Sequence, residues 1–209
     1  MKNFETCPRK FYEEKITKAY PQTGSPATLY GEQFHLAAEM FVKEGAPLPD
    51  EFRFALPLLQ YLVGKAGDKY PEYEMAVTHD LRPVGFKDPS AWIRGIADIV
   101  IVSRETAYVG DYKTGGDKYP DKDQLRLMSL MVFAHFPQVM KVKAALFFVL
   151  KNTKVDTVMT RDQCEAGWQD YRERTALMVR AQTTGVWNPK QNGLCKKYCP
   201  VKSCEFNGG

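Results

Sequence analysis

Two short acidic motifs, each next to an apolar run, constrain the fold of this chain more than any other feature. The first is Gly95-Ile96-Ala97-Asp98, and the second is Asp111-Tyr112-Lys113-Thr114-Gly115. A strand places residues i and i+2 on the same side of a sheet, so Asp111 and Lys113 share one face. Apolar residues around Asp98 indicate a second strand beside the first. The sequence therefore predicts two adjacent strands that each carry a carboxylate, with an ammonium group beside the second.

The remaining periodicity predicts an α/β fold, a mixed central sheet flanked by helices. Apolar residues at helical spacing predict helices, and alternating apolar residues predict strands. The predicted helices are residues 3–18, 28–44, 51–65, 124–136 and 161–182, and the predicted strands are residues 73–81, 92–103, 106–113, 142–150 and 155–160. The strand at 142–150 is almost entirely apolar, so we expect it inside the sheet. A chain of 209 residues without an internal repeat is expected to form a single domain over residues 1–209.

The composition narrows the class of protein. Hydrophobic residues make up 44% of the chain and charged residues 26%, which is typical of a globular protein. No apolar stretch reaches a membrane-spanning length, and the first residues do not form a secretory signal. We therefore expect a cytoplasmic protein with no membrane partner. The net charge of +4 permits nucleic-acid binding but does not by itself indicate it. The sequence does not predict an oligomeric state.

The acidic motifs favour metal-dependent phosphodiester cleavage. Asp98 and Asp111 can bind Mg²⁺ or Mn²⁺, and Lys113 can stabilise the attacking water or the charge that develops on phosphorus. The alternative is a solvated sheet edge at which Lys113 is only the ion-pair partner of the aspartates. Burial decides between the two, because a buried carboxylate is costly unless it is paired or bound to a metal.

Two predicted helices place further polar groups near these strands. His35 and Glu39 stand one helical turn apart. His35 can be a metal ligand directed at the carboxylates, with Glu39 orienting its second nitrogen or holding a metal-bound water. Alternatively, the two can form an ordinary surface pair. Gln124 begins the helix that follows the Lys113 strand, and we expect it to reach back to the same site.

Three basic residues are candidate nucleic-acid contacts. Arg126 can contact a phosphate group, or it can belong to a plain amphipathic helix. Lys196 and Lys197 stand near Tyr198 in the C-terminal tail. This combination either follows a nucleic-acid backbone with base stacking or forms a solvated surface.

The cysteines are unevenly distributed, at Cys7, Cys164, Cys195, Cys199 and Cys204. An odd number without a secretory signal argues against a disulfide framework. The three C-terminal cysteines need a fourth ligand to close a metal site, and Cys7 is the natural one. Such a site would join residues 1–18 to residues 187–209, whereas the alternative is a set of free thiols in a frayed tail. Cys164 stands alone and is expected to be a core or boundary residue.

In this order, the motifs resemble the RecB-like branch of the PD-(D/E)XK nuclease superfamily. That branch includes the CRISPR-associated RecB-like exonucleases and the AddB-type iron–sulfur nucleases. The resemblance runs from Phe4 to Cys204. It implies a restriction-endonuclease-like fold and a Mg²⁺- or Mn²⁺-dependent deoxyribonuclease, an exonuclease rather than an endonuclease. It also implies DNA as substrate, a recombination or CRISPR-type protein as partner, and a bacterial or phage-infected cell as the setting.

The resemblance further implies a role for each motif residue. The implied metal ligands are His35, Asp98, Asp111 and the main-chain carbonyl of Tyr112, and the implied catalytic residues are Asp98, Asp111, Lys113 and Gln124. The four cysteines Cys7, Cys195, Cys199 and Cys204 are implied to bind a [4Fe–4S] cluster, with zinc as the alternative. Met128 departs from the family pattern, which has a tyrosine four residues after the glutamine. The alternative to a nuclease is a DNA-binding accessory module without catalysis, held together by the cluster or by zinc.

Overall fold

The computed structural model describes residues 1–21 and 24–208. In chain order its elements are α1 (Lys2–Thr6), α2 (Pro8–Phe11), a π-helical turn (Tyr12–Ile16), α3 (Pro26–Glu44), a 3-10 segment (Asp50–Ala55), α4 (Leu56–Val63), β1 (Asp68–Val77), β2 (Pro83–Val84), β3 (Ile93–Ser103), β4 (Thr106–Lys113), α5 (Lys122–His135), β5 (Lys141–Phe148), β6 (Thr153–Thr160), a 3-10 turn (Arg161–Gln163) and α6 (Cys164–Thr184). The chain divides into two compact units, Ser25–Gly167 and Met1–Gly24 with Trp168–Gly209. The prediction of a single domain over residues 1–209 stays a prediction.

The larger unit, Ser25–Gly167, is built on a six-stranded sheet in the order β2-β1-β3-β4-β5-β6. All neighbouring strands are antiparallel except β4 and β5, which are parallel. A parallel pair needs a crossover connection, and α5 supplies it. The predicted mixed sheet flanked by helices is confirmed, as is the position of β5 inside the sheet.

Helix α3 is fixed against the sheet by its apolar stripe. Phe34 and Ala38 are fully buried and belong to the same core cluster as Leu59 of α4 and Ile99 and Ile101 of β3. Each such large side chain contributes about 1.5–3 kcal/mol through burial. This packing fixes the position of the next residue along α3, a histidine.

Helix α5 is buried over most of its surface. Leu125, Leu130 and Met131 are fully excluded from solvent, as expected for the strongly apolar helix that the sequence predicts. The helix approaches β3 closely, since a Cβ atom on Gly95 would lie 3.1 Å from the Met131 sulfur. The C-terminal half of α5 is therefore held close to β3.

Several predicted boundaries are wrong for local reasons. The predicted helix at 3–18 breaks at Cys7, whose backbone is extended with φ of −164°, because a proline restricts the residue before it. The predicted helix at 51–65 is a 3-10 segment followed by α4, which begins at Leu56 with Pro57 in its first turn. Strand β1 covers residues 68–77 rather than 73–81. The two-residue strand β2 is too short to give a periodic signal.

In the smaller unit the two ends of the chain contact each other directly. Arg174 forms an ion pair with Glu5 at 2.5 Å. The amide of Asn192 donates a hydrogen bond to the main-chain oxygen of Thr6 at 3.1 Å. Trp187 stacks on Tyr12 and packs edge-on against Phe4 and beside Phe11, which closes an aromatic cluster. These contacts join the start of the chain to its tail.

None of the helices in the described part of the chain combines the length and the apolar character that crossing a membrane requires.

Candidate active site

Three carboxylates lie side by side across β1, β3 and β4. The register of β1 with β3 places Glu72 opposite Asp98. The register of β3 with β4, continued by one pair, places Asp98 opposite Asp111. Asp98 is 7% exposed and Asp111 is 5% exposed, so this acidic row is largely buried. The solvated sheet edge considered as the alternative is therefore wrong.

His35 of α3 lies at one end of the row. Its Nδ1 atom lies 3.1 Å from Asp98 Oδ1 and 3.8 Å from Glu72 Oε1. Hydrogen bonds to Asp98 and then to Glu72 raise the pKa of His35 to about 10, against the opposing effect of its partial burial. Without a bound cation the imidazole therefore favours its protonated form, and a cation that binds here would displace that proton.

Asp111 at the other end has its own set of partners. Gln124 of α5 donates a hydrogen bond through Nε2 to Asp111 Oδ1 at 2.6 Å. Lys113 Nζ lies 2.5 Å from Asp111 Oδ2, as expected for two side chains on one face of β4. The main-chain N–H of Tyr112 donates to Asp98 Oδ2, which connects the two halves of the row.

Burial makes the charge on Asp111 costly. Loss of solvation and then the charge of Asp98 raise the pKa of Asp111 to about 6, although Lys113 acts in the opposite direction. Its Oδ2 atom is buried and, in the described part of the chain, accepts no hydrogen bond of acceptable geometry. A buried carboxylate oxygen in this state is suited to a cation.

The donor atoms fit a divalent cation. Potential ligand atoms of His35, Glu72 and Asp98 all lie within 4.8 Å of one another. Among the described residues, these three form the group of His, Cys, Asp or Glu side chains close enough to share a metal ion. Asp111 is outside that group, and its carboxylate contacts Gln124 and Lys113. A set made mostly of carboxylates suits Mg²⁺ or Mn²⁺.

Glu72 is the site residue that sequence reasoning missed. The predicted strand began at Tyr73, one residue after Glu72, although Glu72 directly precedes the apolar residues on which that prediction rested. Its backbone has φ of 45°, a left-handed conformation that is costly for a residue other than glycine. Such strain concentrates at functional sites, and here it accompanies the side chain that faces Asp98 and His35.

Replacing Glu72 by Gln is expected to weaken Mn²⁺ binding by about 10–100-fold, the range for losing one supporting group at a metal site. The amide keeps the shape of the side chain but removes its negative charge. Isothermal titration with Mn²⁺ measures the effect. Glu74→Gln, on an exposed residue of the same strand, is the matched control and should bind Mn²⁺ as the unchanged protein does. Equal affinity of both variants for Mn²⁺ would mean that Glu72 does not contribute to the metal site.

Other predicted site residues lie elsewhere. Glu39 is not paired with His35: its carboxylate lies 3.9 Å from Lys43, although both His35 and Glu39 line one shallow cleft of about 520 Å³. The prediction that Glu39 orients the histidine is therefore wrong. Arg126 is half-buried on α5, and Met128 is buried in the core.

The smaller unit holds a second cluster of potential ligands. Cys7, Cys195, Cys199 and Cys204 all line one narrow cavity. Main-chain N–H groups of Lys10 and Lys190 donate to the Cys7 sulfur at 3.5 Å and 3.4 Å, and that of Asn192 donates to the Cys195 sulfur at 3.4 Å. Cys164 lies in the larger unit and does not line this cavity. Lys196 and Lys197 are exposed beside Cys195.

A mixed sheet that carries an acidic row and an adjoining lysine is the arrangement expected of a metal-dependent nuclease. Residues 1–204 match the model of the PD-(D/E)XK nuclease superfamily, and the chain belongs to that superfamily. The chain is a nuclease, and the resemblance inferred from the motifs is confirmed at the level of the superfamily.

Several solved structures are similar to this chain. A candidate exonuclease from Eubacterium rectale is 15% identical, with a TM-score of 0.50 over 94% of this chain and 84% of that one. The protein SSO0001 is 16% identical, with a TM-score of 0.48 over 98% of this chain and 83% of that one. A search of curated protein sequences gave no match.

Proposed function

We propose that this nuclease is a deoxyribonuclease dependent on Mg²⁺ or Mn²⁺ that degrades DNA from ends or as single strands. The observation that carries the proposal is the row of half-buried Glu72 and buried Asp98 and Asp111, with Lys113 2.5 Å from the last carboxylate. A row of acids alone would repel the phosphate backbone. With a bound cation it attracts the same backbone, because the local charge is reversed.

Each residue has a distinct task in the proposed reaction. His35, Glu72 and Asp98 would hold the cation, and Asp111 and the Tyr112 carbonyl would complete its ligands. The bound cation would supply Lewis acidity to the scissile phosphate. Lys113 would orient the water that attacks phosphorus and stabilise the negative charge that develops there. Gln124, through its hydrogen bond to Asp111, would keep that carboxylate turned toward the reacting groups.

The exonuclease mode is supported by the description of the E. rectale protein as a candidate exonuclease and by the RecB-like motifs. It is tested by comparing three single-stranded substrates of one sequence: linear, blocked at the 5′ end and circular. With Mn²⁺, we expect linear DNA to be degraded and circular DNA to survive. Rapid cleavage of the circle would contradict the exonuclease mode and leave the nuclease assignment intact.

The second candidate function is a DNA-binding accessory module without catalysis. It predicts binding of the same oligonucleotides with no cleavage at any concentration of Mg²⁺ or Mn²⁺. Retention of Asp98, Asp111 and Lys113 in one contact network argues against it.

His35→Ala is expected to raise the Mn²⁺ concentration needed for half-maximal cleavage by at least about tenfold, because one ligand is lost. Folding should be affected little, since the apolar contacts of α3 come from Phe34 and Ala38. Cleavage at increasing Mn²⁺ and thermal unfolding measure the two effects. His79→Ala, on a histidine that stacks on Trp92 in a connecting segment, is the control. An unchanged Mn²⁺ requirement would mean that His35 is not a ligand.

We also propose that Cys7, Cys195, Cys199 and Cys204 hold a [4Fe–4S] cluster. Four thiols around one cavity are a complete ligand set for such a cluster, and main-chain N–H groups directed at sulfur stabilise bound thiolates. The alternative is a tetrahedral zinc ion held by the same four cysteines.

A further inference from the structure

An apolar groove lies in the larger unit, away from the acidic row. Its floor is formed by Ile99 and Ile101 of β3 and by Ala145 and Phe147 of β5. The volume of the groove is about 920 Å³, larger than the cleft of about 520 Å³ beside His35. Cavities of this size are typical of binding sites for ligands rather than of packing defects.

Large apolar side chains around this groove are exposed to solvent. Tyr61 is 60% exposed, Val158 is 53% exposed and Leu150 is 49% exposed, and all three line the groove. Single exposed apolar residues are ordinary, but several around one concave surface indicate an interaction site.

The rim of the groove is basic. Lys65 and Lys143 line it, and together with Lys141 they also line a neighbouring cavity of about 490 Å³. Among residues 1–21 and 24–208, no carboxylate forms an ion pair with any of these three lysines. The one acidic residue of the groove, Asp156, is paired with Lys154 at 3.5 Å. The unneutralised charge of the rim is therefore positive, which fits an anionic partner.

The groove is better suited to a peptide than to a nucleic-acid strand. The ammonium of Lys65 lies 4.1 Å from the Tyr61 ring centre and 4.3 Å from that of Tyr108. These ring faces already have a cation as partner, so they are not free for base stacking. The groove also lies on the face of β4 that carries Tyr108, whereas Asp111 alternates to the opposite face. A DNA strand bound at the acidic row lies on the face of β4 that carries Asp111, so it would not reach the groove by continuing along that face.

We propose that this groove, floored by Phe147 and rimmed by Lys65 and Lys143, binds a segment of a partner protein that combines acidic residues with large apolar side chains. The apolar side chains would fill the groove against Phe147 and Val158. The carboxylates would pair with Lys65 and Lys143 at the rim. This site is independent of the nuclease chemistry and would allow a partner to hold the nuclease while its acidic row stays free.

Selection from a phage-displayed library of random peptides on the full-length protein tests the proposal. We expect the selected peptides to be acidic and to contain aromatic or branched apolar residues. A fluorescent copy of the most enriched peptide is then titrated with Lys143→Glu and Val158→Asp, which change exposed residues of the groove. We expect each change to weaken binding by at least about tenfold, the loss typical of removing a central interface contact. Lys87→Glu, the same charge change on an exposed residue outside the groove, should bind as before.

Other outcomes would overturn the proposal. These are failure to enrich any peptide, enrichment of neutral or basic peptides, or equal binding by both groove variants. A dimer in solution that Val158→Asp dissociates would assign the groove to a second copy of the chain instead. Weakened binding of an oligothymidylate by Lys143→Glu, without loss of peptide binding, would assign it to nucleic acid. DNA cleavage by both variants should be unchanged, since neither residue belongs to the acidic row.

Discussion

Replacing Asp111 by Asn is expected to lower the rate of DNA cleavage by at least about 10²-fold, as for the loss of one preorganised electrostatic group. The asparagine fills the same space but cannot carry the charge that neutralises a bound cation. It should not destabilise the protein. Burial and the nearby charge of Asp98 raise the pKa of Asp111, so ionisation at this position costs stability at neutral pH. We therefore expect a melting temperature that is unchanged or higher, as at sites where function costs stability.

Cleavage rates at saturating Mn²⁺ and thermal unfolding together check this expectation. Asp156→Asn, on an exposed carboxylate of β6, is the matched control and should change neither quantity. Lys113→Ala should lose activity to a similar extent, because the ammonium group 2.5 Å from Asp111 is removed. Activity near that of the unchanged protein in both Asp111→Asn and Lys113→Ala would contradict the proposed active site.

Replacing Cys199 by Ser is expected to abolish binding of the iron–sulfur cluster and to lower the melting temperature of the smaller unit. A site that uses ligands from both ends of the chain contributes its binding free energy to folding. The direct contacts of Glu5 with Arg174 and of Thr6 with Asn192 should preserve part of the structure. We therefore expect a loosened unit and not complete unfolding.

Anaerobic purification, followed by metal analysis and visible absorption, measures this effect. Cys164→Ser is the matched control, because this cysteine does not line the cavity, and it should keep the full metal content. Colourless protein that contains stoichiometric zinc would show that the four cysteines bind zinc and not an iron–sulfur cluster. Protein with neither iron nor zinc after anaerobic purification would contradict the site altogether. DNA cleavage by the variant distinguishes a structural role for the cluster from a direct one in the reaction.

The sequence by itself determined the elements whose signal is local. Strand β4 was predicted with its observed bounds, because a short apolar run leads into Asp111 and Lys113 and a polar loop follows. The shared face of Asp111 and Lys113 follows from the two-residue period of a strand. The place of Gln124 near Asp111 could be expected as well, because α5 follows β4 after a short connection.

The tertiary structure decided what depends on pairing between distant strands. Glu72 enters the acidic row because the register of β1 with β3 places it opposite Asp98, and no pattern within β1 contains that register. Helix α3 turns His35 toward Asp98 and Glu72, whereas Glu39 pairs with Lys43, although helical spacing treats the two residues alike. The groove beside Phe147 likewise exists only because helix α4 and four strands meet around it. Local periodicity specifies which residues share a face, but packing over long sequence distances specifies which faces meet.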